Sequence, residues 1–481
     1  MSAHPVRYCH ALTNINAHNV DIAHMKPPLN VVILAAGKGT RMKSARAKVL
    51  HPIAGKAMLA HVLDRARELA PEKISIVIGF GADEIRTTLA AQTDIAWATQ
   101  EPQLGTGHAV LQAMPQLTNA GVTLILYGDV PLITRETLAA LVAAADAHTL
   151  AWLTYTVADA TGLGRLVRDA AGAANAIVEH KDATEAQRAI REINTGILAC
   201  PTAWLNDWLP TLGNKNAQGE YYLTDILALA VAAKRNVATI SAKSEWEIAG
   251  VNNKNQLATL ERTHQHNIAS TLMEAGVTLA DPARIDVRGT LTCGADVSID
   301  INCIFEGTVT IGARVKIGAN CILNNCRIGD KTDIAPYSFI DDAVIGNNAR
   351  IGPYARIRPG TTLANDVHIG NFVEVKASDI GTGSKANHLS YIGDTTIGAG
   401  VNVGAGTITC NYDGANKHRT VIEDNVHIGS DVQLVAPVTV RAGGTVAAGT
   451  TVWKDTQANE LTLNAKTQVS KPGWVRPTKK K

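Results

Sequence analysis

The sequence predicts a Rossmann-like α/β domain over residues 30–254, followed by a parallel β-helix over residues 277–460. Three observations predict this division. Apolar strands alternate with helical segments in the first half, as in α/β domains. An apolar residue recurs at every sixth position in the second half, as in stacked β-helix coils. Between the two, residues 253–275 contain neither Gly nor Pro and predict one helix, so we assign residues 255–276 to a linker.

Four apolar runs in the first half predict strands of a mostly parallel sheet. In such sheets, ligands collect in the loops that follow the strands. We therefore look for chemistry directly after the first and third of these runs. The predicted strands cover residues 31–36, 74–79, 123–129 and 150–156, and helical periodicity covers residues 58–69 and 135–145.

The second half repeats an inward-facing apolar residue in three registers, often followed by a glycine that permits a tight corner. The repeat is interrupted at residues 371–392 and 409–422, and we expect both interruptions to form loops on one face. Cys303 and Cys321 fall at inward positions, which favours core packing over metal binding. The registers are Leu291, Val297, Cys303, Val309, Val315, Cys321; Ile345, Ile351, Ile357, Leu363, Ile369; and Ile422, Ile428, Leu434, Val440, Val446, Val452.

Composition narrows the classes of partner. The 481 residues carry a formal net charge of +2, with 45 basic and 43 acidic side chains, which argues against nucleic acid or a membrane surface as the main partner. No apolar run reaches the length of about 18 to 20 residues that spans a bilayer. The seven cysteines lack the paired spacing of a zinc site or a disulfide framework, which indicates a reducing cytoplasm.

The two ends of the chain predict no chemistry. Residues 1–29 are polar and irregular, and their four histidines are unevenly spaced, so we interpret them as an extension that binds no metal. Met25 is a plausible alternative start, because the first strong strand begins only at Val31. Residues 461–481 read as a basic tail that ends in three lysines.

The loop LAAGKGTRM follows the first predicted strand and ends in Arg41 and Met42. It matches neither a Walker A loop nor a dinucleotide fingerprint. Its glycines would let backbone N–H groups approach phosphates, while Arg41 and Lys48 would neutralise charge during phosphoryl transfer. Asp129 of YGDVPL ends the third run, where a carboxylate can hold Mg²⁺ against nucleotide phosphates. Taken singly, the loop and the aspartate are equally compatible with ordinary turns.

A second polar cluster lies within and beside the first interruption of the hexad repeat. Arg358 and Lys376 offer two cations for a sugar phosphate. His388 offers an imidazole that accepts a proton near neutral pH, and Tyr391 follows three positions later. A single histidine in a loop is usually an exposed residue without a function. The two cations and the tyrosine near His388 favour a catalytic role for it.

Together, LAAGKGTRM, YGD and the hexad half resemble the bacterial bifunctional N-acetylglucosamine-1-phosphate uridylyltransferases/glucosamine-1-phosphate acetyltransferases, from about residue 30 to the C-terminus. The resemblance implies a left-handed β-helix, a homotrimer with acetyltransferase sites at subunit contacts, and Mg²⁺, UTP and acetyl-CoA as cofactor and co-substrates. Acetyl transfer to glucosamine 1-phosphate would precede uridylyl transfer with release of pyrophosphate. The product, UDP-N-acetylglucosamine, would feed peptidoglycan and lipopolysaccharide synthesis.

The same resemblance assigns the uridylyl site. Gln100 and Gln103 would read the uracil, since an amide offers a donor and an acceptor. Asp129 and Asn252 would bind Mg²⁺. The family often has a proline before the residue that corresponds to Lys48, whereas this chain has Ala47. An alanine would make the loop less rigid than a proline does, without changing the role of Lys48. Residues implied at UTP are Leu34, Ala35, Ala36, Gly37, Gly39, Arg41, Lys48, Gln100, Gln103, Gly105, Thr106, Tyr127 and Gly128; those implied at the sugar phosphate are Gly164, Glu179, Asn194 and Asn252.

In the acetyl site, the resemblance makes His388 the general base that deprotonates the amine of glucosamine 1-phosphate. One family position differs: Ala465 replaces an arginine expected at the coenzyme A phosphates, and Lys466 follows it as a point charge without the bidentate fork. Arg358, Lys376, Tyr391 and Asn402 would bind the sugar phosphate; Ala405, Asn411, Tyr412, Ser430, Ala448 and Ala465 would line the acetyl-CoA side.

Two other interpretations stand beside this one. The chain could be a monofunctional nucleotidyltransferase with a structural or regulatory β-helix, as in ADP-glucose pyrophosphorylases. It could also be a scaffold or exchange-factor subunit with an inactive transferase domain. Packing alone does not require the set Arg358, Lys376 and His388, which argues against the first alternative. The intact LAAGKGTRM loop and Asp129 argue against the second.

Overall fold

The computed structural model describes residues 28–465 and 467–479. The N-terminal half builds one nine-stranded sheet with the strand order β9-β5-β8-β4-β1-β2-β3, in which β6 pairs with β8 and β7. The strands are β1 (Leu29–Ala35), β2 (Lys73–Ile78), β3 (Ile95–Thr99), β4 (Val122–Tyr127), β5 (Thr149–Thr156), β6 (Arg165–Arg168), β7 (Ala174–Val178), β8 (Glu192–Pro201) and β9 (Asn236–Ser241).

Six of the eight helices in the described part of the chain cover the sheet, because each presents apolar side chains to it. Short 3-10 turns lie at Thr40–Met42, Lys48–Leu50, Met114–Gln116, Leu209–Thr211, Glu245–Glu247 and Pro282–Arg284, and a small hairpin pairs Pro52–Ile53 with Lys56–Ala57. The helices are α1 (Met58–Arg67), α2 (Ala82–Thr88), α3 (Thr106–Ala113), α4 (Arg135–Ala143), α5 (Glu185–Arg188), α6 (Thr202–Trp208), α7 (Asp225–Ala232) and α8 (Lys254–Glu274). Those that cover the sheet are α1–α4, α6 and α7.

The four predicted strands and two predicted helices form at nearly the predicted positions, as β1, β2, β4, β5, α1 and α4. The expectation of a mostly parallel sheet is only half right. β1 pairs in parallel with both β2 and β4, whereas β8 runs antiparallel between β4 and β5. β8 follows the β6–β7 hairpin and runs back across the sheet, which makes it antiparallel to its neighbours. An apolar run does not indicate the direction of its strand, so the sequence could not predict this.

The C-terminal half coils into parallel strands, and every inward residue of the three predicted registers is buried or partly buried against one continuous core. Cys303 and Cys321 are fully buried in that core, as predicted. One sheet stacks Thr278–Leu279, Ser298–Ile299, Lys316–Ile317, Asp333–Ile334, Arg350–Ile351, His368–Asn371, Lys385–His388, Asn402–Val403, His427–Ile428, Thr445–Val446 and Leu461–Thr462.

The other sheet contributes two strands to most coils. Its strands are Ile285–Cys293, Cys303–Ile311, Ile322–Asn324, Arg327–Ile328, Phe339–Asp341, Ala343–Ile345, Arg356–Ile357, Thr361–Leu363, Glu374–Lys376, Asp379–Ile380, Tyr391–Gly393, Thr395–Ile397, Ile408–Cys410, Thr420–Ile422, Gln433–Val435, Val438–Val440 and Thr451–Val452.

The prediction of a loop at residues 371–392 is wrong. His368 pairs with Lys385, and Lys385 pairs with Asn402, so the coils continue without an insertion. Small polar residues hide the repeat there. Ser384 and Ser390 are buried, and their hydroxyls donate to carbonyls of the next coil at Gly398 and Gly404. The second expected loop is present, because Asn402 pairs with His427 across a coil lengthened by residues 411–419.

α8 connects the two halves. Asn253 caps its N-terminus by accepting from the Gln256 N–H at 2.9 Å. Its buried Gln265 exchanges hydrogen bonds with the backbone of Val287 in the first coil. No helix among residues 28–465 and 467–479 is long and apolar enough to span a membrane.

Candidate functional site

A cavity of about 390 Å³ opens beyond the carboxyl ends of β1 and β4, which are neighbours in the sheet. Parallel strands place the loops that follow them at one edge, so LAAGKGTRM and YGD meet there. Lys38, Val49, Ala109 and Glu220 also line the cavity, and these were not predicted. The predicted residues that line it are Leu34, Ala35, Ala36, Gly37, Lys48, Gln100, Gln103, Gly105, Thr106, Tyr127 and Asp129.

Three predicted UTP residues lie outside this lining. Gly128 donates its N–H to the Leu34 carbonyl and so supports the strand ladder. Gly39 has φ +59°, and a Cβ there would lie 2.7 Å from Lys48 Cβ, so it makes room for the lysine. Arg41 is exposed and forms no hydrogen bond or ion pair with the residues that the structure describes. Its catalytic role stays a prediction.

Lys48 joins the two predicted metal ligands. Its Nζ donates to the Asp129 carboxylate and lies 3.3 Å from Asn252 Oδ1. The Lys48 and Asp129 side chains are only 14% and 16% exposed. Three separate elements meet here: the turn Lys48–Leu50, the loop after β4, and the residues before α8. The Asp129 and Asn252 oxygens therefore converge on one cation, as a shared Mg²⁺ would require.

One part of the cavity lining is a polar loop that hydrogen bonds hold to its own backbone and to Leu223. Gln100 is 3% exposed, and its Nε2 donates to the Gly105 carbonyl at 2.8 Å. Gly105 has φ +114°, and a Cβ there would lie 2.6 Å from the Tyr221 carbonyl oxygen. Thr106 Oγ1 accepts from the Leu223 N–H at 3.0 Å. The hydrogen bond to Gly105 uses the Gln100 amide nitrogen, so the amide is held in one orientation. Its Oε1 accepts no hydrogen bond from the described residues and is left to accept one from a ligand.

Gly37 offers a clean test of the phosphate loop. A Cβ at this position meets nothing within 4 Å, and its φ is not in the left-handed region. We expect Gly37→Ala to leave the thermal midpoint unchanged but to raise KM for UTP about tenfold, because the methyl group intrudes where phosphates approach the backbone. Gly105→Ala should instead lower the midpoint, because it strikes the Tyr221 backbone. An unchanged KM in folded Gly37→Ala would contradict the assignment.

A second cavity, of about 500 Å³, shares Tyr127 with the first and is lined by Asn194 and Asn252. Asn194 Oδ1 accepts from Trp152 Nε1 and from the Gly196 N–H, each at 2.7 Å. These two donors fix the orientation of the amide and leave its NH₂ group free to donate to a ligand.

Gly164 directly precedes β6, and Glu179 directly follows the neighbouring strand β7. The Asn194 N–H donates to the Gly164 carbonyl at 2.9 Å, and a Cβ on Gly164 would lie 3.0 Å from Glu179 Oε1. Burial raises the pKa of Glu179, and the carboxylates of Asp182 and Asp225 raise it further. Glu179 itself lines a separate cavity of about 340 Å³ that it shares with those two residues.

In the β-helix, the predicted cations lie side by side on successive coils. The register that pairs Ile357 with Val375 brings Arg358 next to Lys376. Arg358 donates to Glu374 at 2.7 Å, and Lys376 Nζ lies 3.3 Å from Asp394 Oδ2. These carboxylates hold the cations in place with their remaining donors free.

Tyr391 and Asn411 complete this cluster from the next coils. Asn411 Nδ2 donates to Asp394 at 2.5 Å and to the Tyr391 hydroxyl at 3.4 Å. Lys417, which was not predicted, joins from the inserted segment. Contact with Lys376 lowers the pKa of Lys417, as expected of two neighbouring cations. The only sequence signal for Lys417 was its position within the second interruption.

His388 ends the strand Lys385–His388 and is exposed. Its Nδ1 lies 2.9 Å from Asn371 Oδ1 on the preceding coil. Since that oxygen accepts the Nδ1 proton, Nε2 is left as the free base. No hydrogen bond or ion pair among the described residues links His388 to the Arg358–Lys376 cluster. Its neighbour Leu389 is 63% exposed at the corner of the coil.

Three of the six predicted acetyl-CoA residues stack at one corner. The Asp431 N–H donates to the Ala405 carbonyl, and the Gly449 N–H donates to the Ser430 carbonyl, so Ala405, Ser430 and Ala448 follow one another on three coils. Asn402 is exposed on the adjoining strand, and Tyr412 is 61% exposed in the inserted segment. Ala465 is exposed beyond the last strand, whereas Lys466 lies outside the described residues.

Family profiles match both halves. A profile described as a MobA-like NTP transferase domain covers residues 31–197, a GMPPB C-terminal domain covers 287–380, and a hexapeptide repeat of succinyl-transferase covers 419–454. The last match and the parallel coils identify the second half as a left-handed hexapeptide β-helix. A solved nucleotidyl transferase from Methanothermobacter shares 17% identity and a TM-score of 0.36, covering 49% of this chain and 96% of its own.

The curated relatives span nearly the whole chain. Bifunctional protein GlmU from Paraburkholderia phymatum is 60% identical over 453 residues, which cover 94% of this chain and 100% of its own. The protein of the same name from Cupriavidus pinatubonensis is 60% identical over 452 residues, covering 94% and 99%. On this likeness and the two sites above, the chain belongs to the GlmU family of bifunctional enzymes, which combine a uridylyltransferase with an acetyltransferase.

Proposed function

We propose that the chain makes UDP-N-acetylglucosamine in two steps at separate sites. Residues 277–460 transfer acetyl from acetyl-CoA to glucosamine 1-phosphate, and residues 30–254 join the product to UTP with release of pyrophosphate. The observation that carries the proposal is that Lys48 contacts Asn252 and Asp129, while Lys48 and Asp129 line a cavity together with the start of the LAAGKGTRM loop. The free cysteines of the described residues suit a reducing cytoplasm.

In the uridylyl step, the sugar 1-phosphate oxygen attacks the α-phosphorus of UTP in line with departing pyrophosphate, and no protein nucleophile is required. Gly37 and its neighbours offer backbone N–H groups to the phosphates, and Lys48 neutralises the charge on them. Asp129 and Asn252 hold Mg²⁺, which when bound supplies positive charge beside the phosphates. Two protein oxygens suit this ion, because Mg²⁺ keeps several waters.

Base and sugar recognition follow from the fixed amides. Gln100 Oε1 is free to accept from the uracil N3–H, and Gln103, which lines the same cavity, donates to a uracil carbonyl. In the sugar pocket, Asn194 donates its NH₂ to the sugar. Gly164 leaves room for the Glu179 carboxylate, which accepts from a hydroxyl of the sugar. The sugar 1-phosphate would bind in the cavity that Tyr127, Asn194 and Asn252 line.

In the acetyl step, His388 Nε2 takes a proton from the amine of glucosamine 1-phosphate as the amine attacks the thioester carbonyl. The carbon–sulfur bond then breaks, and coenzyme A leaves as the thiol by taking up the proton that His388 accepted. Asn371 keeps the imidazole in the required tautomer. Arg358, Lys376 and Tyr391 bind the sugar phosphate together with Asn402. The small residues Ala405, Ser430 and Ala448 leave a groove for the pantetheine arm.

We expect Ala465 to weaken the binding of coenzyme A. It is exposed beyond the last strand, where the family has an arginine that pairs with phosphates. We expect Ala465→Arg to lower KM for acetyl-CoA at least about tenfold, because a hydrogen bond to a charged group contributes about 1.5–3 kcal/mol. The KM for glucosamine 1-phosphate should not change. Steady-state thiol release gives both constants, and an unchanged acetyl-CoA KM refutes the idea.

We also propose that the chain is a homotrimer. An exposed apolar column runs down one corner of the β-helix and ends beside His388. In it, Tyr337 stacks on Tyr354 with ring centroids 4.9 Å apart, and Tyr354 stacks on Phe372 at 5.2 Å. Contiguous exposed aromatic rings mark protein contacts. Sedimentation equilibrium should give three times the chain mass of 50.8 kDa, and a monomer at micromolar concentration would exclude this assembly.

The alternative of a monofunctional nucleotidyltransferase with a structural β-helix predicts no acetyl transfer. Glucosamine 1-phosphate, acetyl-CoA, UTP and Mg²⁺ together test it, with free thiol and pyrophosphate followed separately. We expect thiol to appear first and pyrophosphate to follow it. Omitting acetyl-CoA should stop both signals, whereas adding N-acetylglucosamine 1-phosphate should restore pyrophosphate alone. Pyrophosphate without any thiol release would favour the alternative.

A further inference from the structure

Lys48 lies where a metal ion would have to bind. Its ammonium contacts the Asp129 carboxylate and lies 3.3 Å from Asn252 Oδ1, the two oxygens that we assign to Mg²⁺. An ammonium in contact with both oxygens disfavours a divalent cation at the same pair, because the two positive charges repel each other at this short distance. The burial of Lys48 and Asp129, at 14% and 16% exposure, leaves little water to screen that repulsion.

The backbone and Cβ of Lys48 are held in place, whereas its ammonium group can rotate into the nucleotide cavity. Val49 and Leu50 are buried in the same turn, and Gly39 packs against Lys48 Cβ, so the backbone cannot withdraw the side chain. The same lysine also lines the nucleotide cavity. A four-carbon stem with rotatable bonds lets the ammonium turn from Asp129 toward phosphates in that cavity without moving the main chain.

We propose that Lys48 competes with the divalent cation for Asp129 and Asn252 in the free enzyme and that nucleotide phosphates release it. In the free enzyme the ammonium neutralises the Asp129 carboxylate, and when UTP binds it contacts the phosphates instead. Metal affinity is therefore low in the free enzyme and rises when nucleotide binds, which is a coupling between two ligands through one side chain. This inference rests on the proposed magnesium site.

Removal of the Lys48 charge should consequently strengthen metal binding while it weakens catalysis. We use Mn²⁺ as the probe, with free ion counted by electron paramagnetic resonance on the full chain without nucleotide. Lys48→Gln should tighten the Kd for Mn²⁺ about tenfold or more, because it removes a full positive charge a few ångströms from the ion. Lys48→Met, which is neutral and of similar length, should do the same, so the test does not depend on one variant folding.

Two further variants separate charge from shape and location. Lys48→Arg keeps the positive charge and should leave Mn²⁺ binding as weak as in the wild type. Lys43→Gln removes an exposed charge five positions earlier and should change the Kd little. An unchanged or weaker Kd in both neutral variants overturns the inference, as does equal tightening by Lys48→Arg.

Asp129→Asn distinguishes failure of this inference from failure of the metal assignment. If Asp129→Asn, built into the Lys48→Gln protein, abolishes the tightened binding, the metal site is as proposed and the lysine competes for it. If Mn²⁺ binds equally well with and without Asp129, the magnesium site lies elsewhere and the proposed uridylyl mechanism fails with it.

Discussion

Asp129→Ala should reduce pyrophosphate release at least about 10²-fold, which is the effect of removing one preorganised electrostatic group from an active site. The substitution removes a metal ligand and leaves the Lys48 ammonium, which is largely buried, without its carboxylate partner. Loss of the metal weakens the stabilisation of the negative charge that the phosphates carry in the transition state, and this effect outweighs the release of one ammonium. Thiol release from acetyl-CoA should be unaffected, since the acetyl residues lie in the β-helix.

The matched control for this variant is Asp207→Ala, which removes an exposed carboxylate from α6 in the same domain. It should keep wild-type pyrophosphate release. If Asp129→Ala retains most of its pyrophosphate release while folded, the metal assignment is wrong.

His388→Ala should reduce thiol release by about 10²- to 10⁴-fold, the usual contribution of a general base. The free Nε2 of His388 provides the only proposed proton acceptor for the sugar amine, and its tautomer is set by Asn371. Pyrophosphate release from added N-acetylglucosamine 1-phosphate should stay normal. His368→Ala removes a histidine from the strand that stacks below the one carrying His388, and should leave thiol release near the wild-type rate.

Retained thiol release in His388→Ala would mean that another group, or water, accepts the proton. A loss in both His388→Ala and His368→Ala would point instead to damage of the β-helix, which circular dichroism and thermal unfolding would reveal.

Features that repeat locally were predictable from the sequence. The apolar runs around Val31 and Leu124 became β1 and β4, and hexads such as Ile345 and Ile351 became inward residues. Both patterns are local, because one strand or one coil carries its own periodicity.

Features that depend on distant partners were not predictable. The antiparallel direction of β8 is decided by the hairpin before it. The first supposed loop was misread because Ser384 and Ser390 are polar, although their hydroxyls find carbonyl partners inside the coil. Lys417 and Glu220 reach their sites only through folding, and no short motif marks either residue.

The candidate sites divide in the same way. Motif residues such as Gly37, Lys48 and Asp129 were predicted by resemblance, and the structure gathers them in one cavity. Arg41 belongs to the same motif yet is exposed outside the lining. Asn371 was missed because its function comes from the register that pairs it with His388 across a coil, and that pairing is visible only in three dimensions.

The central claim is that one chain carries two independent active sites, and a mixing experiment tests it most directly. Asp129→Ala and His388→Ala are combined in equal amounts with glucosamine 1-phosphate, acetyl-CoA, UTP and Mg²⁺, and pyrophosphate is measured. Neither variant alone should release it, whereas the mixture should, because the acetylated sugar diffuses from one variant to the other. A mixture as inactive as each variant alone would contradict two independent sites.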